Sequence, residues 1–307
     1  MVKLYIGITD SDWFKCVSTL PNLDEVNFWQ PGGKMHFRAL QPGELFLFKL
    51  HSPDDFIVGG GVFAHEDILP ISLAWQAFGV SNGARTLEEM RTRVGKYRSN
   101  LGPSLEDYQI GCRIITSPFF FLRDEWLPIP TSWKKSVQQG RTYDTDTAEG
   151  LEVWENVQQH IARSNYSKGL GETLHRYGAP TLVKPRLGQG TFRIAVTSAY
   201  DRRCSVTRER TLPVLDAAHI RPYSLGGVHA VANGILLRQD IHTLFDLGYI
   251  TVDQSYRVVV SKRIKEEFEN GRDYYELDGR LLHVPGALNQ QPDLAALEWH
   301  NRDRFRD

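Results

Sequence analysis

The stretch DAAHIRPYSLGGVHAVANGILLRQDIHTLFD (216 to 246) limits the possible folds more than any other part of the chain. LPVLDAAHI (212 to 220) has the branched, apolar composition of a strand. Gly226-Gly227 lies in the loop that follows, GILLR (234 to 238) is a second short strand, and DIHTLFDLG is a helix that stops at Gly248. His219 ends the first strand, Asn233 stands just before the second, and His242 lies on the helix. A lone histidine beside apolar residues is usually a packed, hydrogen-bonded structural group. Three polar residues on one strand, loop, strand and helix frame are not explained by core packing, and they mark a candidate site for chemistry.

These residues resemble the HNH, or ββα-metal, nuclease motif. His219, Asn233 and His242 match its three name-giving positions, with eight residues between the Asn and the last His. The resemblance runs upstream through GQGTFR and CSVT and downstream through YYELDGR, over roughly residues 180 to 285. It implies hydrolysis of a phosphodiester with one divalent cation, Mg²⁺ or Mn²⁺, with Co²⁺ and Ni²⁺ as further candidates. His219 is the implied general base, a role that an ordinary imidazole pKa of ~6.5 suits near neutral pH. His242 is one implied metal ligand and Asp216 the second. Ala218 stands where such nucleases often carry Asp or His, which leaves direct, water-mediated and absent contact of Asp216 all open. Asn233 is implied as a brace that orients the His219 ring through the loop. Arg221, Arg238 and Arg193 are candidate DNA phosphate contacts, with surface ion pairs as the plainer alternative. His229, in the Gly-rich loop, is a further phosphate contact or, more simply, solvated.

At 307 residues the chain exceeds the usual size of one compact core, which favours two domains. With 41% hydrophobic and 24% charged residues it is neither disordered nor fibrous. No segment approaches the roughly 18 apolar residues of a membrane span. Met1-Val2-Lys3 runs into a strand-like stretch without a signal-peptide pattern, so a cytoplasmic, prokaryotic location is expected. Cys16, Cys112 and Cys204 are odd in number and widely spaced, and no CxxC occurs, so neither a disulfide framework nor a structural zinc is expected. Charge is uneven along the chain. Residues 1 to 150 carry 15 basic and 18 acidic side chains, whereas 184 to 221 carry 8 basic and 3 acidic. That local excess is a footprint for a polyanion or a solvated basic face.

The first half reads as short strands, at 2 to 9, 43 to 50, 56 to 63, 108 to 115 and 118 to 122, with helices between them. Asp10 is an N-cap for the helix SDWFKCVSTL, ISLAWQAFG is a second helix, and Thr86 with Glu89 forms a capping box for a third. The segment from 127 to 150 is irregular and reads as a linker. A helix follows from about 148, with Leu151, Trp154, Val157 and Ile161 at helical spacing and Ser164-Asn165 as its end.

YIGITDSDWF, EVNFWQP, GELFLFKLHSP, IVGGGVF and SLAWQAFGVSNGA resemble, less specifically, the PUA-like domains called EVE. Joined to an HNH domain, such domains resemble modification-dependent restriction endonucleases that flip a modified cytosine into a pocket. A flipped base needs aromatic walls and a few polar groups that read its edge. Trp29, beside Gln30 and Pro31 in an expected loop, Trp75 and Trp13 are the candidate walls, and Asp10, Asn27 and Ser72 the candidate polar contacts. Any of these aromatics serves equally well as core. Gly59-Gly60-Gly61 permits close backbone approach or marks a bulge.

The expected fold is α+β, an N-terminal PUA-like twisted β-barrel with inserted helices and a C-terminal ββα-metal domain. The expected divisions are a recognition domain over 1 to 125, a linker and helix over 126 to 180, and the nuclease over 181 to 307. The implied partner is double-stranded DNA carrying 5-methylcytosine or 5-hydroxymethylcytosine, with a homodimer plausible and no membrane. Two other readings remain: a nicking or structure-specific nuclease indifferent to modification, and an inactive HNH frame joined to a reader of modified nucleic acid.

Overall fold

The structure is a computed structural model, and it describes residues 2–98, 107–163, 182–183, 185 and 187–307. The expected helix end at Ser164-Asn165 and the basic residues Lys184 and Arg186 lie outside the described residues. The chain divides into two compact units, Met1–Thr191 and Phe192–Asp307. Among the described residues no helix is long and apolar enough to cross a membrane.

The first unit is built on one mixed sheet. Its elements are β1 (Lys3–Thr9), α1 (Ser11–Val17), β2 (Glu25–Gln30), β3 (Leu45–Leu50), β4 (Phe56–Pro70), α2 (Ile71–Phe78), α3 (Leu87–Gly95), β5 (Gln109–Phe120), β6 (Leu127–Pro128), β7 (Gly140–Asp144) and α4 (Ala148–Arg163). The strand order is β2-β5-β4-β3-β1-β7, with β6 on β4. Among the described residues only β1 and β3 run parallel. Among the described residues β2 and β7 end the ladder, so the expected barrel is not closed and the strands make a large mixed sheet instead.

Both faces of this sheet are covered, which explains the near-continuous apolar runs of its central strands. Leu4 and Ile6 of β1 and Leu45 and Leu47 of β3 pack with Trp154, Val157 and Ile161 of α4. On the other face Trp13 of α1 meets Phe28 and Phe48 edge-on, and Phe28 lies against Phe46. The glycine triplet lies where three strands crowd together. A Cβ on Gly59 would sit 2.2 Å from the Phe119 carbonyl oxygen, and one on Gly60 2.6 Å from that of Phe46. The β4–β5 register also shifts between Gly60 and Val62, so close backbone approach and a bulge both occur here.

The stretch read as a linker contributes two strands, β6 and β7. β7 pairs antiparallel with β1 from Lys3↔Asp144 to Gly7↔Gly140. Its sequence, GRTYD, is too polar to announce a strand, as befits an edge. In α4 the buried stripe includes Val153, whereas Leu151 is largely exposed.

The second unit holds most of α5 (Gln189–Ala199), then β8 (Leu215–His219), β9 (Gly234–Arg238), α6 (Gln239–Asp246), β10 (Ile250–Val252), β11 (Val258–Val260), α7 (Arg263–Phe268), α8 (Arg272–Tyr275) and α9 (Leu294–Asp303). Phe192 and Val196 of α5, Ala218 of β8, Ile235 and Leu237 of β9, Ile241 and Phe245 of α6 and Leu297 of α9 share one core. β10 and β11 form the expected hairpin. His300 on α9 stacks on Phe245 with ring centroids 3.8 Å apart, and burial pushes its pKa down to about 4. It is a neutral structural histidine.

Candidate active site

The site begins with the pairing of β8 and β9, which sets His219 opposite Gly234 and Asp216 opposite Leu237. The loop between them turns through Gly226, whose φ of 86° suits glycine. A Cβ on Gly227 would lie 1.9 Å from the Arg221 carbonyl oxygen, so that position also requires glycine. Asn233 is buried and ties the loop to itself. Its Oδ1 accepts from the Arg221 backbone N–H at 3.0 Å, while its Nδ2 donates to the Arg221 and Val228 carbonyls, each at 2.9 Å. An amide supplies an acceptor and two donors on one side chain, a combination that no carboxylate or hydroxyl matches.

His219 lies in a stack of rings. Phe192 covers it at 3.8 Å with an interplanar angle of 14°, and its Nε2 stands 3.0 Å from His229 Nδ1. His229 in turn stacks on Tyr223 at 4.7 Å. Burial, together with the neighbouring His229 and His242, pushes the His219 pKa down to about 4, so the ring is neutral at neutral pH. A neutral imidazole has the lone pair that a general base needs.

A second group lies on β8 and α6. His242 Nδ1 is 3.4 Å from Asp216 Oδ2, and His242 Nε2 is 3.2 Å from Asp246 Oδ2. His242 and Asp246 share a helix face because they are four residues apart. Burial alone would lower the His242 pKa; the two carboxylates override it and push the pKa up to about 9. Burial acts to raise Asp216, but His242 and Arg193, the latter 3.6 Å away, outweigh it and hold the carboxyl below its usual range. Ala218 is fully buried in the core, so the carboxylate that β8 turns toward His242 is Asp216, two residues earlier.

Among the described residues no group of three or more His, Cys, Asp or Glu side chains is already arranged around a metal position. The donor chemistry nonetheless fits a divalent cation. Carboxylates suit Mg²⁺ and Mn²⁺ and imidazole suits later first-row ions such as Ni²⁺, and the position between Asp216 and Asp246 already favours positive charge, since it holds the His242 proton. A cation there takes over the charge that this proton supplies.

The three arginines are engaged. Arg193 faces Asp216, Arg238 pairs with Asp240 at 2.5 Å, and Arg221 donates from Nε to the Leu225 carbonyl at 2.8 Å while lying over the Trp299 ring. Asp246 and Phe192 were not foreseen as members of the site, and His229, expected as a phosphate contact or a solvated side chain, lies against His219. The i,i+4 spacing in HTLFD was a signal for Asp246; nothing in the loop composition marked His229 as a partner of His219.

The first unit contains a cavity of about 450 Å³, within the usual range for small-ligand sites. Asp10, Trp13 and Trp29 line it, together with Phe28, His51 and Tyr97. Trp29 lies on β2 rather than in a loop, and its Nε1 donates to the Asn82 carbonyl at 2.9 Å. Tyr97 is tilted against Trp29 and stacked parallel to His51 at 6.1 Å. Asp10 caps α1 by accepting from the Trp13 backbone N–H, and its other oxygen accepts from the Tyr97 hydroxyl at 3.4 Å. The remaining expected residues are elsewhere. Asn27 is fully buried, donating to Asn82 Oδ1 at 2.8 Å. Ser72 binds Asp107 from the first turn of α2, and half-buried Trp75 on α2 does not line the cavity.

Residues 204–253 match the family model described as HNH endonuclease, a span that contains β8, the loop, β9, α6 and β10. The chain therefore carries an HNH endonuclease domain and is a DNA endonuclease, of a class that depends on a metal ion. Among solved structures it is similar to one described as the modification-dependent TagI restriction endonuclease, at 14% identity and a TM-score of 0.28, over 94% of this chain and 78% of that one. A likeness at that score carries no argument about fold or substrate. No curated protein matches the chain.

Proposed function

We propose that the protein is a modification-dependent restriction endonuclease that flips a modified cytosine, 5-methyl or 5-hydroxymethyl, out of double-stranded DNA and cuts the backbone with its HNH domain. The observation that carries the specificity is the cavity of the first unit, where Trp29, Tyr97 and His51 offer ring faces beside the Asp10 carboxylate. Aromatic faces replace the stacking a flipped base loses, and a carboxylate accepts from an exocyclic amine such as that of cytosine. In this reading residues 1 to 125 are a PUA-like, EVE-type recognition domain whose sheet and core β7 and α4 of the segment 126 to 180 complete, and 181 to 307 form the nuclease.

In the nuclease His219 takes the proton of the attacking water and Asn233 holds the loop that orients it. Asp216 and His242 hold the divalent cation, with Asp246 beside them. Bound there, the cation stabilises negative charge on the scissile phosphate and the leaving oxygen. Arg193, Arg221 and Arg238 draw in the DNA backbone by exchanging their present partners for phosphate. One such site cuts one strand, so a double-strand break takes two protomers or two visits, and a restriction role places the enzyme in a prokaryotic cytoplasm.

Tyr97 is 47% exposed, so its truncation leaves the core intact. The Tyr97→Ala protein is expected to lose about tenfold to a hundredfold in affinity for a modified duplex, the value of one base–aromatic stack, with its weak affinity for plain DNA unchanged. Fluorescence anisotropy on paired duplexes checks this. Equal affinity of the unsubstituted protein for modified and plain duplexes would remove base reading from the first unit.

A further inference from the structure

A neutral imidazole carries one ring hydrogen, so a histidine that takes a proton at one nitrogen must already hold hydrogen at the other. The 3.0 Å contact between His219 Nε2 and His229 Nδ1 admits two neutral assignments. If His229 donates, His219 spends its Nε2 lone pair on that bond and carries its hydrogen on Nδ1, with no lone pair left for water. If His219 donates, its lone pair stays on Nδ1. Only the second arrangement leaves a base.

We propose that His229 is a positioning residue of the nuclease, whose Nδ1 accepts from Nε2–H of His219 and so holds the base in the tautomer with a free Nδ1 lone pair. The proposal rests on His219 being the general base. His229 is well placed for this. Tyr223 stacks on its ring with an interplanar angle of 9°, and the preceding Val228 carbonyl is held by Asn233 Nδ2. Phe192 fixes the plane of His219, and the contact with His229 fixes its rotation in that plane. The titratable groups acting on His219 are His229 from the loop, Asp216 from β8, and His242 and Asp246 from α6. Burial with two of these keeps the ring neutral at neutral pH, where its tautomer decides its reactivity.

In the step that follows, a water O–H bond breaks and its proton goes to His219 Nδ1. The oxygen bonds to phosphorus as the bond from phosphorus to the leaving sugar oxygen breaks. The imidazolium keeps its Nε2–H on His229, then returns a proton to solvent, while the leaving oxygen takes one from solvent. Each cut consumes one water.

The test is a long-range ¹H–¹⁵N spectrum of the full chain labelled at histidine, with His219 assigned by its loss in His219→Ala. The expected result is a single His219 tautomer with hydrogen on Nε2. In His229→Ala and His229→Phe, neither of which offers an acceptor, the tautomers mix and kcat falls about tenfold to a hundredfold with KM for DNA unchanged, the usual effect of losing an orienting partner. His229→Asn, whose Oδ1 takes the place of Nδ1, restores both the tautomer and most of the rate. Hydrogen on Nδ1 of His219 in the unsubstituted protein overturns the proposal without any variant having to fold, as does His229→Ala with the original tautomer and kcat. Failure of the base assignment is separate: it shows as His219→Ala cutting at the original rate, whatever the tautomer.

Discussion

The His219→Ala enzyme is expected to cut DNA about a thousandfold more slowly under single-turnover conditions, with DNA affinity within about twofold of the original. General-base catalysis contributes about 10² to 10⁴ in rate, and nothing else near His219 replaces it. His229 is the neighbouring imidazole, but its ring centroid lies 5.0 Å from that of His219, so the Nδ1 released by the substitution does not occupy the place of the lost base. His242 has no lone pair to offer, since its ring is an imidazolium between two carboxylates in the metal-free protein and would spend its lone pair on the cation when that is bound. Affinity is preserved because the charge that attracts DNA resides on arginines, whereas His219 is neutral at neutral pH. A His219→Ala rate equal to the original would show that another group takes the proton.

Loss of the cation is expected to be as damaging. Chelation abolishes cleavage, and His242→Ala lowers it by about a hundredfold or more at saturating Mg²⁺ or Mn²⁺, because the metal's stabilisation of phosphate charge is worth several kcal/mol. An independent readout is thermal unfolding. An ion that binds only the folded chain raises its stability by RT ln(1 + [L]/Kd), so Mn²⁺ shifts the original protein's Tm upward and leaves that of His242→Ala unchanged. Equal Tm shifts in the two proteins would place the ion away from His242.

The nuclease half was legible because its chemistry is local. His219, Asn233 and His242 fall within one short run, so turn chemistry and strand alternation place them without long-range information. Ala218 raised doubt because spacing along a strand does not reveal which residue faces the helix; the fold answers with Asp216 against His242. Asp246 carried a signal in its spacing of four residues from His242, although it was not foreseen. The first half was less legible. EVNFWQ is buried along most of its length and shows no alternation, so Trp29 read as a loop residue. Its cavity joins residues as far apart in sequence as Asp10, His51 and Tyr97, a convergence no local pattern announces. Trp75 and Ser72 were drawn from the same aromatic-rich segments, yet the direction of α2 keeps them from the cavity.

The most direct test of the account is cleavage of duplexes identical except for one position, bearing cytosine, 5-methylcytosine or 5-hydroxymethylcytosine, with Mg²⁺ or Mn²⁺ and with a chelator. The account predicts metal-dependent cutting confined to the modified duplexes. Equal cutting of all three would contradict modification dependence while leaving an HNH nuclease, and selective binding without cutting would contradict the catalytic assignment.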